Sequence, residues 1–249
     1  NHANIVFVPS NFNGDMALFQ SKAQWVFSVF SNYVPFGSSI PQYNAFFVPD
    51  EGGSYCWQPC NGIDRLLCCD TALAKSISSK CTSGPRQTVV IHNSDVYGGA
   101  GYISSDVATT TTHSLAPKVA VHEVGHSLFN LGDEYNYGSS TNAYPNCDTS
   151  GCPKWDEMLG LWGVGCLGNK CENGAYYTAE VSMMESLSYP FEESNERLTC
   201  CVYYQETGIF PSYCDKFKPL SVPLNTFCGI SATPSSTGGV PGEFVEMPL

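Results

Sequence analysis

His122-Glu123-Val124-Gly125-His126 places two imidazoles four residues apart with a carboxylate beside the first. On a helix, positions i and i+4 lie one above the other, so both rings can reach one metal ion while Glu123 stands close enough to exchange a proton with water there. This pattern is two-thirds of a catalytic zinc site and points to peptide hydrolysis. Glu123 is the expected general base and acid, and His122 and His126 the expected ligands. The competing reading is a buried amphipathic helix whose histidines hydrogen-bond in the core.

Catalytic zinc takes three protein ligands and keeps one position open, so a partner is required. Asp133 and Glu134 follow Gly132, where the chain can turn back under the helix. Glu157 and Glu180 are carboxylates too, but no spacing argument favours them. His92 and His113 lie upstream and read either as ordinary polar residues or as residues supporting the site from behind its ligands, and Tyr135 could add a hydrogen bond.

The helix that must carry the motif is predicted over 116–130. Ser114 is a candidate N-cap, Pro117 fits the first turn, and Gly132 is the expected stop. Val119, Val121, Val124, Leu128 and Phe129 give it an apolar side. Valine and glycine are indifferent helix formers, so packing has to hold the segment. Strands are expected at 4–8, 43–48 and 88–92, and helices at 15–33, about 65–80 and 190–204. Their alternation predicts an α/β layer. The run Tyr97-Gly98-Gly99-Ala100-Gly101-Tyr102 is too rich in glycine for a core strand. It is either a flexible loop or an exposed edge strand along which an extended peptide could pair.

The chain has 249 residues, 43% of them hydrophobic and only 14% charged, a globular composition with the few charges of an extracellular protein. Its 13 cysteines point to an oxidising compartment. The short intervals Cys56 to Cys60, Cys147 to Cys152 and Cys166 to Cys171 suggest local staples, whereas Cys68-Cys69 and Cys200-Cys201 should reach distant partners. An odd count leaves at least one thiol outside intrachain pairing. No pair of Cys-x-x-Cys knuckles stands at finger spacing, which speaks against a second, structural zinc. A net charge of −12 opposes binding to nucleic acid or an anionic membrane. No apolar run reaches spanning length, and the expectation is a secreted product trimmed of its leader. Asp50-Glu51 could bind calcium, though a solvated surface is the plainer reading. Nothing here fixes oligomeric state.

The run His122–Tyr135, HEVGHSLFNLGDEY, resembles the motif of the immunoglobulin A peptidase family of secreted, mostly bacterial zinc metallopeptidases, in which Leu-x-Asp-Glu-Tyr follows the histidines at this offset. Asn4–Val8, Phe46–Pro49, Val90–Ser94 with Tyr97–Gly99, Tyr144–Asn146, Lys154-Trp155 and Met183-Met184 are similar in kind. The resemblance implies a zincin: an α/β (α+β) fold with a mixed twisted sheet packed on helices that include the zinc helix, and a loop-rich, disulfide-stapled C-terminal subdomain. It implies one catalytic zinc, Asp133 as third ligand with Glu134 as the alternative, and Met184 as a methionine turn beneath the metal. Against metzincins the spacing departs: Phe129 stands at their glycine, Gly132 at their third ligand, and Ser186 where some carry a tyrosine. No tyrosine is therefore assigned to the transition state.

The expected organisation is an N-terminal α/β subdomain over 1–131, a cysteine-rich subdomain over 132–228 and a tail or linker over 229–249. The expected activity is that of a secreted zinc endopeptidase acting on protein or peptide. The alternatives are a non-catalytic binding module that keeps zinc for stability, and a zinc amidase acting on a non-protein polymer.

Overall fold

The computed structural model describes residues 3–37, 43–48, 53–82, 84, 86–103, 105–135, 144–171 and 175–230. The acidic pair Asp50-Glu51 and the expected tail beyond 230 lie outside them. The chain forms two compact units, one drawn from 1–32 and 36–128, the other from 33–35 and 129–238.

The first unit is a mixed five-stranded sheet packed on helices. Its strands are β1 (Ala3–Ser10), β2 (Tyr43–Phe47), β5 (Arg86–His92), β6 (Gly99–Tyr102) and β7 (Val107–Thr110), in the order β2-β1-β5-β7-β6. β1, β2, β5 and β7 run parallel, and β6 pairs antiparallel with β7 at one edge. Ile5 to Val8 and Val89 to Ile91 are all fully enclosed, as expected of parallel strands covered on both faces. Helix α1 (Met16–Phe30) starts where the Asp15 carboxylate accepts the Leu18 amide, and Phe19, Ala23, Val26 and Phe30 form its buried stripe.

Helix α2 is shorter than the sequence suggests, Thr71–Ser78 rather than 65–80. Residues before it are diverted into a two-stranded ribbon of β3 (Cys56–Trp57) and β4 (Cys68–Cys69), closed by Cys56–Cys69 and Cys60–Cys68. Helix formation then begins only at the Asp70 cap, whose carboxylate accepts the Leu73 amide. Two covalent links outweigh any helical preference at 65–69, because each confines the loop it closes.

The second unit has a smaller share of regular structure. It holds the ribbon β8 (Leu167–Lys170) and β9 (Ala175–Tyr177), helix α4 (Glu193–Thr207) and a short helix α5 (Leu224–Phe227). Four disulfides, Cys147–Cys171, Cys152–Cys166, Cys200–Cys214 and Cys201–Cys228, tie its loops. Arg197 of α4 is enclosed, with Nη1 on Glu157, Nη2 on the Val222 carbonyl and its plane 3.8 Å from the Phe227 ring centre.

The cysteine pairing corrects the sequence reading. None of the three short intervals closes on itself, and Cys68 and Cys69 find near rather than distant partners. Adjacent cysteines cannot bond the same partner, so nested loops form instead. Cys81 is the free thiol, half-buried, its Sγ directed at the Phe47 carbonyl. Among the described residues no helix is long and apolar enough to cross a membrane.

Candidate metal centre

Helix α3 (Ala116–Phe129) carries the motif. Val119, Ala120, Val121 and Val124 are buried, which supplies the packing that its weak helix formers require. Three polar contacts then fix its position. The Thr110 hydroxyl of β7 donates to the Ala116 carbonyl, Gln87 of β5 donates through Nε2 to Ser127 Oγ, and that hydroxyl donates to the Glu123 carbonyl. Just ahead of the helix, His113 Nδ1 accepts the Leu115 amide at 3.2 Å. The helix ends at Asn130, which takes the left-handed conformation at φ 56°, two residues before the expected glycine. Gly132 is needed for a steric reason instead, since a Cβ there would lie 2.6 Å from the Tyr144 ring.

His122 and His126 are both nearly enclosed, at 9% and 8% exposure, and their Nε2 atoms stand 3.2 Å apart. A tetrahedral zinc with Zn–N bonds of about 2.0–2.1 Å holds two nitrogens about 3.3 Å apart, so the pair has the separation one ion demands. One oxygen of Glu123 joins them, all three ligand atoms lying within 4.8 Å of one another. The donor set of two imidazoles and a carboxylate thus fits a borderline metal such as zinc.

Residues 99–102 of the glycine-rich run form an edge strand, with Tyr97 and Gly98 just ahead of it, and the glycines have a steric cause. A Cβ on Gly101 would fall 2.4 Å from the Glu123 carbonyl oxygen and 2.6 Å from His126 Cβ. One on Gly99 would fall 2.5 Å from Val119 Cγ1 and 2.9 Å from Glu123 Oε1. β6 lies flat on the metal helix because no side chain intervenes. Gly99 is bonded outward, its amide to the Arg65 carbonyl and its carbonyl to the Leu67 amide. With period two, the backbone groups of Gly101 face the same outward edge.

Two tyrosines flank this strand. Tyr102 is held through its hydroxyl, which accepts the Cys69 amide at 2.8 Å. Tyr97 is held instead through its backbone: Gln58 Nε2 donates to its carbonyl and to that of Asp64, both at 2.7 Å. Its ring meets His113 edge-on at 5.5 Å. Burial raises both phenols, and the Glu123 charge raises them further, opposed at Tyr97 by Arg65 and at Tyr102 by the Cys69 hydrogen bond. Sequence reasoning did not single out Gln58, and it named the two tyrosines only as the ends of the glycine-rich run, without a role; the glycine spacing was the one signal of close approach. His92 sits at the end of β5 with Nδ1 3.1 Å from Ser10 Oγ, and burial lowers its pKa.

The remaining site candidates belong to the second unit. Asp133 is nearly enclosed, at 6% exposure. Its neighbours are pinned on both sides. Gly132 donates its amide to Asn146 Oδ1 and accepts Asn146 Nδ2 at its carbonyl, while the Glu134 amide donates to the Met184 carbonyl at 2.9 Å. Glu134 Oε1 accepts from Asn146 and Asn195 at 3.0 and 2.9 Å. Met184 is fully buried in a turn whose amides at 185 and 186 both donate to the Ser182 carbonyl, and the Met184 amide donates to Ser182 Oγ. Burial pushes Glu134 up to about 7, against hydrogen bonds from Asn146, Asn195 and Ser182. Burial, then the Glu134 charge, pushes Glu192 to about 8, although its oxygens cap α4 by accepting the Ser194 and Asn195 amides.

An imidazole pair and a carboxylate on a helix laid under a glycine-built edge strand form a group that could hold a metal ion. Residues 37–157, a stretch that contains the cluster, match the model of the IgA Peptidase M64 family, a metallopeptidase family. No curated protein matches the chain.

Proposed function

We propose that the protein is a secreted zinc endopeptidase of zincin type. The observation that carries this reading is the 3.2 Å convergence of His122 and His126 Nε2 beside Glu123, within a chain matched to a peptidase family. Six disulfides fit an extracellular setting.

His122 and His126 would hold the ion, with Asp133 as the third ligand. The support for Asp133 over Glu134 is that Glu134 Oε1 already accepts two amide donors, while Gly132 and Glu134 fix the backbone on either side of Asp133. Met184 fits a methionine turn through its carbonyl, which receives the Glu134 amide. Bound zinc would supply Lewis acidity, lowering the pKa of a coordinated water to about 7 and polarising the scissile carbonyl. Glu123 takes the proton from the attacking water and delivers it to the leaving amine. The outward backbone groups of Gly101 give an extended peptide an edge to pair with, which orients the bond to be cut. The family name does not specify immunoglobulin as substrate, and an unstructured protein such as casein is the appropriate first probe.

The test compares casein hydrolysis by wild type and Glu123→Gln, with and without chelator, alongside zinc content. Activity lost to chelator and to the mutation, with one zinc retained in the mutant, is the expected result. A Glu123→Gln enzyme that still turned over would remove Glu123 from this role, and zinc-loaded wild type without cleavage would overturn the peptidase reading.

A further inference from the structure

Three features single out Tyr97 beside the metal helix. First, proximity: Tyr97 stands two residues before Gly99, the first residue of β6, where a Cβ would lie 2.9 Å from Glu123 Oε1, and the Glu123 charge is felt at the Tyr97 phenol. Second, support: the Tyr97 backbone is anchored by Gln58 of the ribbon closed by Cys56–Cys69 and Cys60–Cys68, and its ring rests on His113. Third, availability: the residue is 38% exposed, and among the described residues no hydrogen bond engages its hydroxyl, whereas the Tyr102 hydroxyl is committed to Cys69. A phenol anchored from behind through its backbone and ring, with a free donor at its tip and on a segment leading into the strand that packs on Glu123, is preorganised to meet charge that develops during reaction.

We propose that Tyr97 is a catalytic residue, its hydroxyl donating a hydrogen bond to the scissile carbonyl oxygen as that oxygen becomes anionic, with Gln58 and His113 as its positioning residues. The assignment rests on the zinc-peptidase reading above. The raised pKa of the phenol agrees with it, since the group stays protonated and able to donate throughout the neutral range. No covalent bond is made to Tyr97, and its proton remains on the phenol. The site thereby gains a transition-state donor from the glycine-rich segment ahead of α3.

The experiment measures kcat and KM on an unstructured peptide for wild type, Tyr97→Phe and Glu123→Gln, together with zinc content, melting temperature and the affinity of a zinc-binding phosphinic peptide that mimics the tetrahedral state. Tyr97→Phe should lower kcat about a hundredfold with KM within about twofold, and weaken the phosphinic peptide by a similar factor. Its zinc content and melting temperature should match wild type. Unchanged kcat, a loss confined to KM, or a loss that tracks zinc or melting temperature would each overturn the role. Wild type that binds zinc yet cleaves nothing would instead bring down the peptidase reading and this assignment with it, whereas an active wild type with an equally active Tyr97→Phe would bring down this assignment alone.

Discussion

Helix α3 and the segment around Asp133 are both held in place, and by opposite means. Around α3 the device is steric: glycines at 99 and 101 remove the side chains that would separate strand from helix, and buried valines fill the other side. Around Asp133 the device is polar: Asn146, Asn195 and Ser182 supply hydrogen bonds to a buried carboxylate and to the flanking backbone, inside a unit tied by four disulfides. Steric fit is indifferent to pH and intolerant of added volume. A buried polar cluster tolerates little loss of any partner and responds to protons.

The largest effect should come from breaking the first region at its functional atoms. His122→Ala leaves one imidazole, and we expect zinc content by atomic emission to fall below about a tenth of wild type, with casein cleavage lost. Retained zinc would remove His122 from the ligand set. Next in size is Gly101→Val, which drives a Cβ into positions 2.4 and 2.6 Å from Glu123 and His126 atoms. Backbone has to move, at a cost of about 1–3 kcal/mol or more. Lower stability in chemical denaturation and weaker zinc retention are expected together, and a wild-type midpoint would show that strand and helix are not in contact.

The second region should yield to a change that adds no volume. Asn146→Ala strips the Gly132 amide, the Gly132 carbonyl and Glu134 Oε1 of one partner each. An orphaned buried polar group costs about 1–3 kcal/mol. We expect destabilisation in that range, together with reduced activity because the backbone beside Asp133 loosens. An effect below about 0.5 kcal/mol would mean that water replaces the amide without loss.

This contrast also marks what the sequence could disclose. The convergence of His122, Glu123 and His126 was legible because one helix turn dictates their spacing, and the buried strands because full burial forces apolar runs such as Ile5 to Val8. The match over 37–157 upholds the family that the motif suggested. The glycine run announced close approach without naming what approaches, and left loop and edge strand equal until β6 paired with β7. Helix α2 was overdrawn because the disulfides that shorten it join residues whose pairing leaves no trace in periodicity. The Glu134 cluster was hidden for a similar reason: Asn146, Ser182, Glu192 and Asn195 come from separate segments, and a buried polar network has no repeat to detect.

The finest test of the contrast is pH. Glu134 and Glu192 hold their protons in the folded protein up to about 7 and about 8, whereas an unfolded carboxylate of this type releases its proton near 4.5. Between about 4.5 and 8 the folded state therefore binds more protons than the unfolded one, and stability must fall as pH rises through that window. Their contribution is fully present below about 4.5 and is lost once the pH passes the folded values. Measured on chelated protein, the melting temperature should decline from pH 5 to pH 8, each kcal/mol amounting to about 2–4 °C in a chain of this size. Glu134→Gln keeps an acceptor for Asn146 and Asn195 and removes the charge that Glu192 feels, so the decline should become shallower. Gly101→Val should lower the whole curve without flattening it, because it leaves the Glu134–Glu192 pair in place. If Glu134→Gln kept the wild-type slope, the carboxylate pair would not be the source of the pH dependence, and the polar region would be held in the same proton-insensitive way as the steric one.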